Sequence, residues 1–258
     1  MTALDRGAPP TAAPPAPAGI EANGLNVIAE SERKGRARDL FWPWFGANVS
    51  VLGMNYGAFV LGFGISFTQA TIVSVIGIVV SFALCGVVAL AGRRGNAPTM
   101  LLSRAAFGVH GNRLAALISW VLLVGWETAL TSLAVLATST VFTELGLDLG
   151  PLTKIVALIV VAALTVGGGI AGFDAIMRMQ RWITVITGVL TVVYIALTAG
   201  SVDFARVGAI PAGSTTALIG ALVFVMTGFG LGWVNAAADY SRYPVSYTHL
   251  TLPTNREV

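Results

Sequence analysis

Charged side chains are scarce in this 258-residue sequence. They make up 10% of the residues, 15 basic and 12 acidic, whereas about 25% is usual in a soluble domain. So few charges cannot cover a water-exposed surface, which excludes an ordinary soluble enzyme and a disordered regulator. The net charge of +3 is also too small, and too dispersed, for a nucleic-acid-binding surface.

Cysteine and histidine are almost absent. Cys85 is the only cysteine, and the two histidines, His110 and His249, lie far apart in the chain. A disulfide framework and a metal site built from cysteine or histidine are therefore excluded. We predict no cofactor and no enzymatic activity.

Apolar residues are abundant, at 55% of the chain, and the mean hydropathy is +0.80. They fall into continuous runs, and a membrane-spanning helix needs about 20 such residues. Strands of a membrane barrel would instead alternate in polarity. We predict an all-α membrane protein with six transmembrane helices, at about 44–67, 70–92, 114–142, 152–172, 179–200 and 214–238.

The two ends of the chain differ from this bundle at 41–244. Residues 1–40 contain a Pro/Ala tract, 8–19, and are predicted to form a disordered cytoplasmic tail. Residues 245–258 have no membrane character and resemble translated adapter sequence. We expect the natural gene to continue past about Pro244, and sequencing the locus tests this.

The basic residues are divided unequally between the predicted loops. Only Lys154 and Arg206 fall in outer loops, and the other thirteen fall on the side of the N-terminus. Cytoplasmic loops are enriched in lysine and arginine. The chain is therefore predicted to lie in the plasma or inner membrane with its N-terminus in the cytoplasm.

Glycine is concentrated in the first and last predicted spans, and GxxxG pairs lie in three spans. Small residues allow close approach of membrane helices, but glycine also weakens a helix by about 1 kcal/mol relative to alanine. Such clusters in corresponding helices indicate the interrupted helices of a transporter site. The residues are Gly46, Gly53, Gly57, Gly62 and Gly64 in the first span, Gly168 and Gly172 in the fourth, and Gly220, Gly228, Gly230 and Gly232 in the sixth.

Glu127 is the only acidic residue deep in a predicted span. A charge at mid-membrane costs about 2.5–3.5 kcal/mol, and such residues mark ion or substrate pathways by default. We favour a role for Glu127 as a coupling-ion, proton or substrate site. The alternative is a carboxyl group satisfied by neighbouring Ser, Thr or Asn side chains that only fixes packing.

Four further polar or aromatic side chains lie within the spans. Trp126 and Trp233 suit either stacking on a planar ligand or apolar packing, and packing is favoured for either residue alone. Asn55 and Asn235 suit either a ligand contact or capping of an interrupted helix.

Asp239 and Arg242 lie three residues apart at the inner end of the sixth span. This spacing favours a structural or gating ion pair at a helix end rather than a catalytic pair.

Two motifs resemble the nucleobase–cation symporter-1 family, in particular its purine–cytosine permease branch. They are RGNAPTMLLSRAAFGVHG at 94–111 and WVNAAADYSRYP at 233–244, and WFGAN at 44–48 is similar to the same branch. The resemblance covers about residues 40–244, in register with the predicted spans.

The resemblance implies twelve helices, ten of them in a five-plus-five inverted repeat of the LeuT type, with the first and sixth interrupted at mid-membrane. This chain would be the first half. Family members import nucleobases or related heterocycles with Na⁺ or H⁺ by alternating access. We expect the 258-residue chain alone to be unable to transport.

The resemblance also assigns roles to residues. Trp126 would stack on the base, the sixth helix would face it near Gly230 and Trp233, and backbone carbonyls around Val51, Gly53 and Met54 would hold the cation. Leu130 replaces the usual Gln or Asn, so Glu127 or Thr131 is expected to bond the ligand, and a classical cytosine or purine substrate is in doubt. Arg104 of the first motif joins Asp239 and Arg242 as a gating or structural residue.

Two other functions are compatible with a membrane protein. A receptor or scaffold would need neither interrupted helices nor a buried acid, and a membrane-embedded enzyme would need converging catalytic groups that the spans do not offer. Uracil, cytosine, purines, hydantoins, allantoin and thiamine-like heterocycles all stay open as substrates. The expected partners are a small heterocycle and the lipid bilayer, without nucleic acid, and the sequence indicates no oligomeric state.

Overall fold

The computed structural model describes residues 23–29, 32–147 and 149–244. All regular structure in those ranges is helical, which confirms the predicted fold class at that level. Residues 1–22 of the predicted tail 1–40, and the whole predicted segment 245–258, lie outside the described residues.

Long apolar helices alternate with short ones along the described part of the chain. The α-helices are α1 (Phe41–Asn48), α2 (Val51–Leu61), α3 (Phe67–Gly95), α4 (Thr99–Leu102), α5 (Arg104–Glu144), α6 (Pro151–Ala171), α7 (Phe173–Thr198), α8 (Phe204–Gly208), α9 (Thr215–Gly228) and α10 (Ala237–Ser241). Short 3₁₀ turns lie at Ala37–Leu40, Ala199–Ser201 and Gly230–Trp233.

Five helices in the described residues are long and apolar enough to span a membrane, one fewer than predicted. They are Phe67–Gly95, Arg104–Glu144, Pro151–Ala171, Phe173–Ser201 and Thr215–Trp233. The predicted first span, 44–67, is not among them because it is divided into α1 and α2. A sixth crossing and the inverted repeat stay predictions.

Both interruptions indicated by the glycine clusters are present. Val49 and Ser50 are extended between α1 and α2. Phe229, with φ −111° and ψ −108°, ends α9, and Gly230–Trp233 continues as a 3₁₀ turn. The first and last predicted spans are therefore each divided into two short helical pieces.

The core lies where α2, α3 and α9 meet. Its fully buried members are Val60, Ile65, Ala70, Val73, Ala221 and Val225. Elsewhere most large apolar side chains are exposed, and only 6–17% of the residues in each spanning segment are buried. Such a surface suits hydrocarbon rather than water.

The interrupted segment after α9 contacts α3 backbone to backbone. Gly230 is buried, and its N–H donates to the Ser81 Oγ at 3.1 Å. A Cβ atom on Gly230 would lie 2.5 Å from the Ser81 carbonyl oxygen, and it would overlap the next peptide as well. No side chain larger than hydrogen fits there, so packing requires glycine at this position.

The first described residues lie against the ends of α3 and α10. Ile28 is buried, and its N–H donates to the Asn96 carbonyl at 2.9 Å. The Lys34 N–H donates to the Tyr243 carbonyl at 2.9 Å. This part of the predicted N-terminal tail is thus held at the end of the bundle where α10 lies.

Replacing Gly230 with alanine tests the contact with α3. We expect the Gly230→Ala variant to lose about 1–3 kcal/mol of unfolding free energy, because two backbones must separate. Gly57→Ala is the matched control, since a Cβ atom there meets nothing within 4 Å, and it should gain up to about 1 kcal/mol from helix propensity. Thermal unfolding of the detergent-solubilised protein measures both, and equal effects would contradict the packing role of Gly230.

Candidate functional site

A cavity of about 220 Å³ lies between the two interruptions and α5. This is smaller than the roughly 300–1,000 Å³ of drug-sized sites and suits a small ring system. Most of its wall is apolar, with few polar side chains. It is lined by Ala47, Asn48, Ser50, Leu52, Gly53, Tyr56, Leu123, Trp126, Glu127, Leu130, Gly228, Phe229, Gly232 and Trp233.

Local polar contacts hold the interruption between α1 and α2. The Asn48 side chain donates to the Trp44 carbonyl at 2.7 Å, and the Ser50 Oγ accepts the Gly53 N–H at 3.3 Å as the N-cap of α2. The last carbonyls of α1 and the first N–H groups of α2 are therefore directed toward one break. Such helix ends carry partial charges of opposite sign.

Three cavity residues of α5 besides Glu127 share one helix face. Leu123, Trp126 and Leu130 are spaced three and four residues apart, as neighbours on a helix face are. Glu127 lies beside them, and no hydrogen bond from the described residues reaches its carboxylate. That group is thus available to a ligand in the cavity.

The cavity brings together four of the predicted site residues, Trp126, Glu127, Gly53 and Trp233. Trp126 keeps 36% of its surface exposed. Trp233 also packs edge-on against Trp44, with ring centroids 5.7 Å apart. Trp233 therefore packs against Trp44 and also lines the cavity.

The other predicted site residues do not line the cavity. Gly230 packs on α3 as described above, and Asn235 donates from Nδ2 to the Ser119 Oγ at 2.9 Å. Asn55 is exposed on α2, and Thr131 and Met54 are partly buried outside the lining. Val51 begins α2.

Residues not predicted from the sequence complete the wall. Tyr56 stacks on Phe224 with centroids 5.2 Å apart and meets Phe229 edge-on at 5.2 Å. Gly228 is essential to this cluster, because a Cβ atom there would overlap the Tyr56 ring. The sequence signal for Tyr56 is its position one helical turn after Gly53, which places both residues on the same face of α2.

The predicted ion pair between Asp239 and Arg242 is not formed. Salt bridges in the described ranges join Lys34 to Asp174 and Arg206 to Asp203. The Asp239 Oδ1 instead accepts the Thr99 N–H at 2.7 Å. The ion pair fails because a nearer backbone donor from α4 satisfies the carboxylate.

Arg242 is buried and binds the N-terminal segment. Its Nη1 donates to the Gly24 carbonyl at 2.9 Å, and its Nη2 donates to the Tyr243 hydroxyl at 3.1 Å. Arg104, the third predicted gating or structural residue, is exposed at the first turn of α5.

The Thr99 side chain completes a reciprocal contact between α4 and α10. Its Oγ1 accepts the Ala238 N–H at 3.0 Å, while its own N–H is bound by Asp239. Burial raises the pKa of the Asp239 carboxyl, against the opposing effects of the Thr99 hydrogen bond and the Arg242 charge. The position therefore requires a hydrogen-bond acceptor more than it requires a charge.

No group of three or more His, Cys, Asp or Glu side chains is placed to hold a metal ion within 23–29, 32–147 and 149–244.

The sequence is similar to proteins of one family. The family model described as "Permease for cytosine/purines, uracil, thiamine, allantoin" matches residues 27–255, a range that includes most of the C-terminal segment predicted to be foreign. "Putative purine-cytosine permease YxlA" of Bacillus subtilis (strain 168) is 28% identical over 115 residues, which are 45% of this chain and 25% of that protein. The chain thus aligns with about a quarter of that relative, and no solved structure matches it with significance.

Two substitutions of Asp239 distinguish its role as a hydrogen-bond acceptor from its role as a charged group. We expect Asp239→Ala to lose about 1–3 kcal/mol of unfolding free energy, because the Thr99 N–H is left without its partner. Asp239→Asn retains an acceptor oxygen and should stay close to wild type at neutral pH. Thermal unfolding distinguishes them, and equal loss in both variants would show that the charge itself is needed.

Proposed function

The chain belongs to the family of permeases for cytosine/purines, uracil, thiamine and allantoin, and from that premise we propose that its cavity binds a planar heterocycle during transport. The family is one of transporters rather than enzymes. The proposal is supported most directly by the cavity itself, because it lies between two interrupted helices and is lined by Trp126 and Glu127. Transporter sites are commonly built at such interruptions.

The shape and chemistry of the cavity suit an aromatic ring. Trp126, Trp233 and Tyr56 offer ring surfaces, while Leu123 and Leu130 make the remaining α5 wall apolar. Stacking of a base on an aromatic side chain contributes about 1–3 kcal/mol. We assign Trp126 as the stacking residue because its ring is partly exposed, whereas Trp233 is held by Trp44.

Glu127 is the residue that we assign to hydrogen bonding with the substrate. Leu130 faces the cavity where the family resemblance leads one to expect an amide, and Thr131 does not line it. An ionised carboxylate only accepts hydrogen bonds. The site should therefore favour heterocycles that present ring N–H donors at one edge.

The coupling ion in this proposal is Na⁺ or H⁺, and transport proceeds by alternating access. The Asn48 carbonyl, which lies against Gly53, suits Na⁺, and the Glu127 carboxylate in the cavity wall suits H⁺. Short helices separated by extended residues change their relative orientation more readily than one continuous helix, which is what opening and closing around a fixed site requires. We place the N-terminus in the cytoplasm from the distribution of basic residues.

Uptake by the complete permease tests the stacking role of Trp126. We expect Trp126→Ala to reduce the apparent affinity for a radiolabelled heterocycle by about 5- to 150-fold, the equivalent of lost base stacking. Trp120→Ala is the matched control, because Trp120 lies on the same helix but is 62% exposed outside the cavity. Unchanged uptake by Trp126→Ala would reject the site.

A second pair of variants tests Glu127. We expect Glu127→Gln to retain the fold but to lower uptake at least tenfold, because an amide replaces one acceptor by a donor. Glu144→Gln, at the exposed end of the same helix, should transport normally. Under proton coupling the Glu127→Gln variant also loses the dependence of uptake on the pH gradient, and normal uptake by it would refute the assignment.

A further inference from the structure

A polar pocket and an apolar groove meet at Trp42, and neither shares a lining residue with the proposed substrate cavity. The pocket has a volume of about 510 Å³, and among the residues that line it are Lys34, Arg36, Asp174, Arg178 and Arg181. The groove has a volume of about 380 Å³ and lies between α1 and α7. Trp42 belongs to both walls.

The pocket carries excess positive charge. Four cationic and two acidic side chains line it. Lys34 pairs with Asp174 at 2.6 Å, and Asp39 accepts the Arg36 N–H at 2.7 Å. No carboxylate of the described residues forms a salt bridge with Arg36, Arg178 or Arg181, so these guanidinium groups are available to an anion.

The groove is almost wholly apolar. Its walls are Phe41, Trp42, Phe45, Thr184, Val185, Gly188, Val189, Val192 and Val193. The single polar side chain, Thr184, is buried, and its hydroxyl already donates to the Trp42 carbonyl at 2.7 Å. Gly188 adds no side chain to the floor, and a Cβ atom there would meet the Phe45 ring at an ordinary contact distance of 3.7 Å.

The length of the groove matches one leaflet of a bilayer. Its α7 residues run from Thr184 to Val193, about 14 Å at 1.5 Å per residue. Half of a hydrocarbon core of about 30 Å is about 15 Å. Arg181, in the wall of the charged pocket, lies one helical turn before Thr184 on α7. A lipid with its acyl chain in the groove would have its headgroup at that position.

Trp42 marks the boundary between the two regions. The Arg181 guanidinium carbon lies 5.4 Å from its ring centroid. Tryptophan is enriched where hydrocarbon meets headgroups, and arginine suits the planar recognition of phosphate.

We propose that this composite surface is a binding site for an anionic phospholipid, with the phosphodiester at Arg36, Arg178 and Arg181 and one acyl chain along α7 in the groove. Inorganic phosphate would satisfy the arginines alone, and a zwitterionic lipid would satisfy the groove without using the excess charge. The combination of both features selects the anionic lipid. This inference is independent of the transported substrate.

Native mass spectrometry of the detergent-purified protein, titrated with phosphatidylglycerol or phosphatidylcholine, tests the proposal. We expect the first phosphatidylglycerol to bind about tenfold more tightly than phosphatidylcholine. Arg178→Gln and Arg181→Gln should each weaken phosphatidylglycerol binding about fivefold and leave phosphatidylcholine unchanged. Arg94→Gln is the matched control, because Arg94 is exposed at the end of α3 and does not line the pocket.

Substitutions at Gly188 test the groove separately. We expect Gly188→Leu to weaken both lipids at least fivefold by filling the floor, while Gly188→Ala has little effect because its Cβ makes an ordinary contact. Circular dichroism and size-exclusion profiles verify that each variant is folded.

Four results would overturn the proposal. They are equal binding of the two lipids, equal loss in Arg94→Gln and Arg181→Gln, full displacement of phosphatidylglycerol by inorganic phosphate, and no effect of Gly188→Leu.

Discussion

The hydrogen bond from the Gly230 N–H to the Ser81 Oγ is the interaction on which the geometry of the cavity depends. An interrupted helix exposes backbone groups, and each such group is costly in a membrane unless it finds a partner. Here α3 supplies that partner within a fully buried contact. The contact fixes where α9 stops, and so fixes the position of Phe229 and Trp233 in the cavity wall.

The sequence predicts the helical class and five of the spanning helices because continuous apolar runs of about 20 residues rarely form any structure except a membrane-spanning helix. It does not predict where the first span is interrupted. The glycine cluster indicates a weak helix between Gly46 and Gly64, but the break lies at Val49 and Ser50. Ser50, the N-cap of α2, and the nearby Asn48 determine that position. Capping residues of this kind are difficult to recognise in a sequence when they lie within an apolar run.

The candidate site is predictable in part for a similar reason. Glu127 attracts notice because an acidic residue is conspicuous in a span, and the family resemblance indicates Trp126; both line the cavity. Asn55 is equally conspicuous but lies on an exposed face of α2. A polar residue within a span shows that its position is unusual. The direction in which its side chain points depends on the rotation of the helix about its axis, and packing sets that rotation. Tyr56 escapes notice because an aromatic residue in an apolar span is ordinary.

The contact between α3 and the interrupted segment joins two backbones, since Gly230 contributes no side chain. Apart from the Ser81 hydroxyl, the atoms that meet there are backbone atoms, so the geometry of the contact does not depend on the side chains that line the cavity. Changes at the cavity residues Leu123 and Leu130 of α5 are free to alter what the cavity accepts without moving this contact. Substrate selectivity and the packing of the interrupted helix are thus separable properties in this protein.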